Sequence, residues 1–187
     1  MRIIAGRAKG RKLKCKKGLS VRPMTNRIKK SVFDIISEKI IEANILDLYA
    51  GSGSLGIEAL SRGAKKVIFV EKDYNAVKFL KQNLINTKFK EDAKILVMHV
   101  SKSVNILANK DLKFDIIFCD PPYNIKEIKI KNILENIIKK NILDIDGILI
   151  YHHPKRIYFP YISEKLKLVK SIKVGESKVS FYQYLSQ

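Results

Sequence analysis

Short unbroken apolar runs recur along the chain, separated by stretches in which apolar positions return at helical spacing. The runs include V-I-F-V, I-L-V-M, D-I-I-F-C and I-L-I-Y. They predict strands near 44–49, 66–70, 94–98, 114–119 and 146–151. Between and after them the pattern predicts helices near 54–62, 73–86, 102–109, 127–140 and 155–165. An earlier helix is expected over 25–42, where Ile28, Val32, Ile35, Ile36 and Ile40 share a face and Thr25 supplies an N-cap. Residues 2–5 and 11–15 read as two short strands about a basic loop. Residues 167–174 and 178–185 read as an antiparallel hairpin turning at Gly175. Strands that are apolar throughout are buried on both faces, as in a parallel sheet covered by helices on each side. The expectation is one doubly wound α/β domain over 1–187. It has a mostly parallel seven-stranded sheet and a basic N-terminal extension, 1–24, of β-hairpin followed by helix.

Such sheets bind ligands at the carboxyl ends of their strands, where strand order reverses. Three strand ends carry suitable chemistry. Asp47 precedes the turn Y-A-G-S-G-S-L-G, which spells G-x-G-x-x-G through Gly51, Gly53 and Gly56. Glycines let backbone approach a ligand, and the helix that follows favours an anionic group. Glu71 ends the second strand 20 positions after Gly51, where an acid can accept from both ribose hydroxyls. Asp73, two residues on, can cap the next helix. These two ends indicate a nucleoside-type ligand and do not distinguish a dinucleotide from an adenosyl cofactor.

The third end, Asp120-Pro121-Pro122-Tyr123, makes the distinction. Two prolines hold a rigid extended loop after a buried strand. The Asp120 carboxylate and a proline carbonyl then form a pair of acceptors matched to the two N–H groups of an exocyclic amine. Tyr123 can stack on a base removed from its own stack. A dehydrogenase has no use for such a loop.

Charge adds a partner. The chain carries 37 Lys and Arg against 18 Asp and Glu, a formal net charge of +19. The first acid is Asp34, and before it stand Arg2, Arg7, Lys9, Arg11, Lys12, Lys14, Lys16, Lys17, Arg22, Arg27, Lys29 and Lys30. Lysine and isoleucine abound throughout, which explains part of the excess. It explains the acid-free arm less well, and that arm has the charge of a nucleic-acid contact.

Together the three strand ends resemble those of class I S-adenosylmethionine-dependent methyltransferases, whose D-P-P-Y members methylate amino nitrogens of nucleobases. With G-R-A-K-G-R-K-L and R-P-M-T-N-R at 22–27, the chain is similar to the bacterial 16S ribosomal-RNA guanine-N2 methyltransferases along nearly its whole length. The resemblance implies a Rossmann-like fold and S-adenosylmethionine held by Asp47, Ala50, Gly51, Gly53, Glu71, Ser101 and Asp120. It implies catalysis by Asp120, Pro121 and Tyr123. It implies RNA contacts from Arg7, Lys9, Arg11, Arg22, Thr25, Arg27, Pro122 and Tyr123. The expected substrate is a 966-type guanine of 16S ribosomal RNA in small-subunit assembly particles. The rivals are a DNA adenine-N6 or cytosine-N4 methyltransferase, for which the chain leaves little room for a target-recognition region, and a non-catalytic RNA-binding assembly factor.

Two departures from that pattern stand out. After the third strand the run V-M-H-V-S-K-S offers no acid for the adenine amino group, so Ser101 or backbone is expected to hold it. Lys30 occupies a place where relatives commonly carry an acid. His152 and His153 follow the fifth strand and are read as strand-end histidines satisfied by backbone or solvent, in preference to substrate contacts. Cys15 and Cys119 are too far apart in pattern to suggest a disulfide or zinc site, and Cys119 is expected in the core. With no signal-peptide or membrane-span pattern and no metal ligand set, a cytoplasmic monomer is expected.

Overall fold

Successive residues of the central strands are buried on opposite faces, which shows how the sheet is covered. In the computed structural model, which describes residues 1–15, 24–157, 159 and 161–185, Ile45, Phe69, Ile116 and Phe118 point into one core cluster. Their neighbours Leu46, Val70, Ile117 and Cys119 point into a second on the opposite face. The strands are β1 (Asn44–Leu48), β2 (Lys66–Glu71), β3 (Ala93–Val97), β4 (Phe114–Cys119) and β5 (Leu143–Pro154), then β6 (Tyr161–Ser163), β7 (Leu166–Val174) and β8 (Ser177–Tyr184). They form one sheet in the order β3-β2-β1-β4-β5-β8-β7-β6. β1 to β5 are parallel, and β8, β7 and β6 are added antiparallel. Helices α1 (Asn26–Ile35), α2 (Ser54–Ser61) and α3 (Tyr74–Thr87) pack on the first face. Helices α4 (Val100–Ala108) and α5 (Glu127–Lys139) pack on the second.

Four expectations need correction. The sheet has eight strands, because the stretch expected as a helix over 155–165 instead holds a turn at 155–156 and β6. Residues 158 and 160 of that stretch lie outside the described residues. Its sequence I-Y-F-P-Y-I is aromatic and β-branched around a proline, which disfavours an uninterrupted helix. The helix expected over 25–42 is α1 followed by a short 3-10 turn at Glu38–Ile40. The tighter winding still buries Ile36 and Ile40. The expected N-terminal strands reduce to a single bridge, Arg2 to Lys12. Backbone donors that would build a longer ladder go elsewhere. Ile4 and Ala5 N–H donate to the two oxygens of Glu58, Arg7 N–H to the Ser61 carbonyl, and Ala8 N–H to Ser61 Oγ. Lys30 sits on the exposed side of α1, paired with Asp34, and takes no part in helix packing.

Glu58 anchors this region. Its side chain is fully buried, as is that of Lys29, whose Nζ lies 3.0 Å from Oε2. Arg62 Nε donates to Oε1 at 2.9 Å. The Lys29 ammonium also donates to the Arg2 carbonyl at 3.0 Å. Burial pulls the Lys29 pKa down, and Glu58 opposes that shift. Losing the carboxylate would leave a buried cation unpaired and two backbone donors unsatisfied. Glu58→Ala is expected to cost about 3–5 kcal/mol in urea unfolding and to speed hydrogen exchange at Ile4 and Ala5. A cost within mutational noise would show that the hub does not hold the N-terminal segment.

Candidate active site

Register places the site. Leu48 of β1 pairs with Val70 on one side and Cys119 on the other. Glu71, Tyr49 and Asp120 therefore come abreast at the carboxyl ends of three adjacent strands. α2 leaves β1 toward one face and α5 follows β4 on the other, so the strand order reverses between them.

The chain after β1 turns at once. Tyr49 has φ 61° and Gly51 has φ 55°, the left-handed region that costs a non-glycine residue about 1–2 kcal/mol. Ala50 N–H donates to the Val70 carbonyl, and Gly53 N–H to the Ala50 carbonyl. A Cβ on Gly51 would meet nothing within 4 Å, so the turn is open above it. Gly56 has a different job. A Cβ there would lie 2.3 Å from Phe69 Cε1, so this glycine lets α2 lie close to β2. The N-cap residue of α2, Gly53, has no side chain to cap the helix, and the first-turn N–H of Gly56 is taken by Asp47.

Glu71 is half-buried. Its Oε2 accepts from Gly51 N–H at 2.9 Å, and its Oε1 accepts from Lys72 and Asp73 N–H. The same carboxylate that is read as a ribose acceptor thus also shapes the glycine turn. Asp73 caps α3 through Asn75 and Ala76 N–H, and Thr25 caps α1 through Ile28 N–H. Ser101 is exposed on the first turn of α4, just beyond β3.

Asp47 lies lower than the sequence suggests. It shares the parity of Ile45, so its side chain faces α2, where Oδ2 accepts from Gly56 N–H at 2.9 Å. It is 1% exposed. Burial pushes its pKa up to about 7, with Asp120 and Glu71 adding repulsion and the Gly56 bond opposing.

Asp120 opens the D-P-P-Y loop. Its Oδ1 lies 2.7 Å from His152 Nδ1, and His152 Nε2 lies 3.3 Å from the Tyr123 hydroxyl. That hydroxyl is 2.6 Å from Ser177 Oγ. Ile125 N–H donates to the Pro122 carbonyl. Among the described residues no backbone donor is assigned to the Pro121 carbonyl, the acceptor expected beside Asp120. Pro121 is buried, Pro122 half-buried, and Tyr123 exposes its ring. His152, which sequence reasoning set aside, belongs to this network; its only signal was a histidine pair ending a buried strand. His153 fits the simpler expectation, with Nδ1 near the Pro154 carbonyl and Nε2 near Ser180 Oγ.

The basic residues divide. The Arg7 guanidinium donates to the Leu60 carbonyl at 3.4 Å and lies over the Phe89 ring. Arg11 donates to the Asn86 carbonyl. These carbonyls end α2 and α3, which run back from the strand tips, so both guanidiniums sit at the remote end of the helices. Lys9, Thr25 and Arg27 are exposed. Arg22 lies outside the described residues. Among the described residues no group of acids, histidines or cysteines is arranged to hold a metal, and no helix is long and apolar enough to cross a membrane.

With this geometry in place, comparison with known proteins gives the family. The family described as "Conserved hypothetical protein 95" matches residues 1–183. YlbH of Bacillus subtilis is 36% identical over 183 residues, covering 98% of each chain. The ribosomal RNA small subunit methyltransferase D of Haemophilus influenzae is 38% identical over 138 residues, 73% of this chain and 72% of that one. The chain belongs to this family. The resemblance carried by D-P-P-Y and the basic arm is borne out at that level. The solved structure of yhhF from Escherichia coli, 28% identical, superposes with a TM-score of 0.85 over 100% of this chain and 99% of that one. The architecture is that of a class I methyltransferase, as expected.

Asp47 gives the site a pH signature. Its folded pKa, near 7, lies above that of an unfolded aspartate, near 3.9. The folded state therefore holds an extra proton between those values, and the stability tied to it is lost as pH rises from about 4 to about 7. Asp47→Asn is expected to flatten urea midpoints across that window. An unchanged slope would place the titration elsewhere.

Proposed function

We propose that this chain transfers a methyl group from S-adenosylmethionine to the exocyclic N2 of one guanine in 16S ribosomal RNA. The observation that carries the reading is the Asp120–Tyr123 loop, fixed at the tip of β4 beside the Glu71-braced turn. Relatives named as small-subunit ribosomal RNA methyltransferases support the choice of RNA.

The residues present fit the cofactor. The Gly51 turn is open, and Glu71 Oε2, with one donor on it, retains an acceptor site for a hydroxyl. Asp47, Glu71 and Asp120 create a negative region suited to a cationic ligand. Bound there, S-adenosylmethionine supplies an electrophilic methyl group on a sulfonium. The protein's task is then to prepare a poor nucleophile, because the guanine N2 lone pair is delocalised into the ring. Asp120 accepts one N–H and the Pro121 carbonyl the other, which favours a pyramidal nitrogen and stabilises the positive charge growing on it. Tyr123 stacks on the base and holds it in line. Orientation of this kind supplies on the order of 7 kcal/mol of a barrier. The basic segment 1–24 is assigned to RNA as part of the same single domain.

The deciding measurement incubates small ribosomal subunits lacking the modification with the protein and labelled S-adenosylmethionine, then maps the label. N2-methylguanine at one site is the expected product. Label on adenine or cytosine in DNA would move the chain to the rival enzymes, and cofactor binding without label would favour an assembly factor. Asp120→Ala is expected to lower kcat by at least about 10²-fold. Full turnover in that variant would remove Asp120 from the chemistry.

The arm is tested separately. Lys9→Glu with Lys12→Glu, both exposed and outside the two guanidinium contacts, is expected to weaken RNA binding and flatten its salt dependence by roughly 0.7–0.9 in log–log slope per lost phosphate contact. Cofactor affinity should not move. RNA affinity unchanged at low and high salt would argue that this face is only solvated.

A further inference from the structure

Two of the residues read as catalytic, Asp120 and Tyr123, share one neighbour. His152 lies on β5, where it pairs with Val179 of β8, and its side chain is 2% exposed. Each ring nitrogen addresses a different residue of the D-P-P-Y loop. Nδ1 lies 2.7 Å from Asp120 Oδ1, and Nε2 lies 3.3 Å from the Tyr123 hydroxyl. A histidine buried for packing alone would have no reason to direct both nitrogens at that loop. Prolines fix the backbone after Asp120 but leave its side-chain torsions free. Among the described residues, the His152 bond is the only contact assigned to that carboxylate's oxygens.

We propose that His152 is the positioning residue of this active site: it fixes the Asp120 carboxylate by an Nδ1–H donation and steadies the Tyr123 ring through its other nitrogen. The proposal rests on the methyl-transfer reading above and deepens it. Opposite a carboxylate, Nδ1 donates whether the ring is neutral or cationic, so the role does not depend on its titration. The donation occupies one side of Oδ1 and leaves Oδ2 for the substrate amine. Tyr123 is held chiefly by Ser177 Oγ at 2.6 Å, with His152 as the second contact. Ser177 opens β8, opposite Pro154. The antiparallel hairpin, which lies outside the nucleotide-binding half of the sheet, is thereby tied to the substrate side of the site.

Three variants separate the two arms. An asparagine amide nitrogen reaches the position of Nδ1, so His152→Asn keeps the Asp120 bond. The longer His152→Gln reaches the position of Nε2 and keeps only the Tyr123 contact. His152→Ala keeps neither. Loss of a charge-assisted bond predicts that His152→Ala lowers kcat about 10- to 100-fold. Affinity for S-adenosylmethionine and KM for RNA should stay within about twofold. His152→Asn should recover most of the loss and His152→Gln little of it. Wild-type kcat in His152→Ala, or His152→Asn no better than His152→Gln, would overturn the proposal; the Asn and Gln pair decides the matter if the alanine variant does not fold. A second readout needs no activity. The Nδ1 proton of His152 should be visible by NMR and slow to exchange in the wild type, and fast in Asp120→Ala. Equal exchange in both would overturn the contact. If the wild-type chain does not methylate RNA, the guanine reading fails, and the exchange of that proton alone upholds or overturns the His152 contact.

Discussion

The Glu58 carboxylate has no access to water, and donors from three parts of the chain converge on it: Ile4 and Ala5 N–H, Lys29 Nζ and Arg62 Nε. Removing an acid from water is costly and is offset only when its lone pairs are filled. The requirement acts in both directions. Glu58 needs the N-terminal segment to satisfy it, and that segment, with one β-bridge among the described residues, is held down in part by Glu58. Since Glu58 sits in α2, the element that carries the glycine turn at its start, the basic arm and that turn share one anchor. Lys29 extends the link to α1, and its contact with Ser54 Oγ reaches the first residue of α2.

From that anchored helix the sheet register does the rest. β1 lies between β2 and β4, so the residues after each strand meet without needing long side chains. Glu71 reaches back to Gly51, and Asp120 N–H approaches the Leu48 carbonyl at 3.5 Å. The left-handed Tyr49 is a cost accepted for a turn sharp enough to leave space above Gly51. Backbone strain of this kind persists only where surrounding bonds hold it, and here the bonds from Ala50 to Val70 and from Gly51 to Glu71 close on either side.

How much was legible in the sequence follows from the range of each interaction. Strands and helices were legible because a parallel sheet demands unbroken apolar runs, and the glycine turn, Glu71 and D-P-P-Y were legible because each is a local motif at a strand end. Glu58 was not, since G-I-E-A-L reads as any helix with an outward acid; the backbone donors it holds, Ile4 and Ala5, lie more than 50 positions away. His152 was passed over for the same reason, its partner Asp120 being 32 positions earlier. The bond from Gly56 N–H to Asp47 follows from the parity that Asp47 shares with Ile45, which turns it toward α2. The helix expected over 155–165 failed because a sheet edge was available to aromatic and β-branched residues whose own pattern was ambiguous.

The charge distribution then resolves an apparent conflict. A net charge of +19 favours polyanions at the surface, yet Glu71 and Asp120 at the strand ends carry the opposite sign. At physiological ionic strength exposed charges are screened beyond about 8 Å, so the basic surface and the acids at the strand ends act on separate surroundings. Burial, with Asp120 and Glu71 beside it, holds the Asp47 proton near neutrality. The burial and repulsion that raise this pKa also weaken the fold as pH rises, so the acids gathered at this end of the sheet are held at a cost in stability.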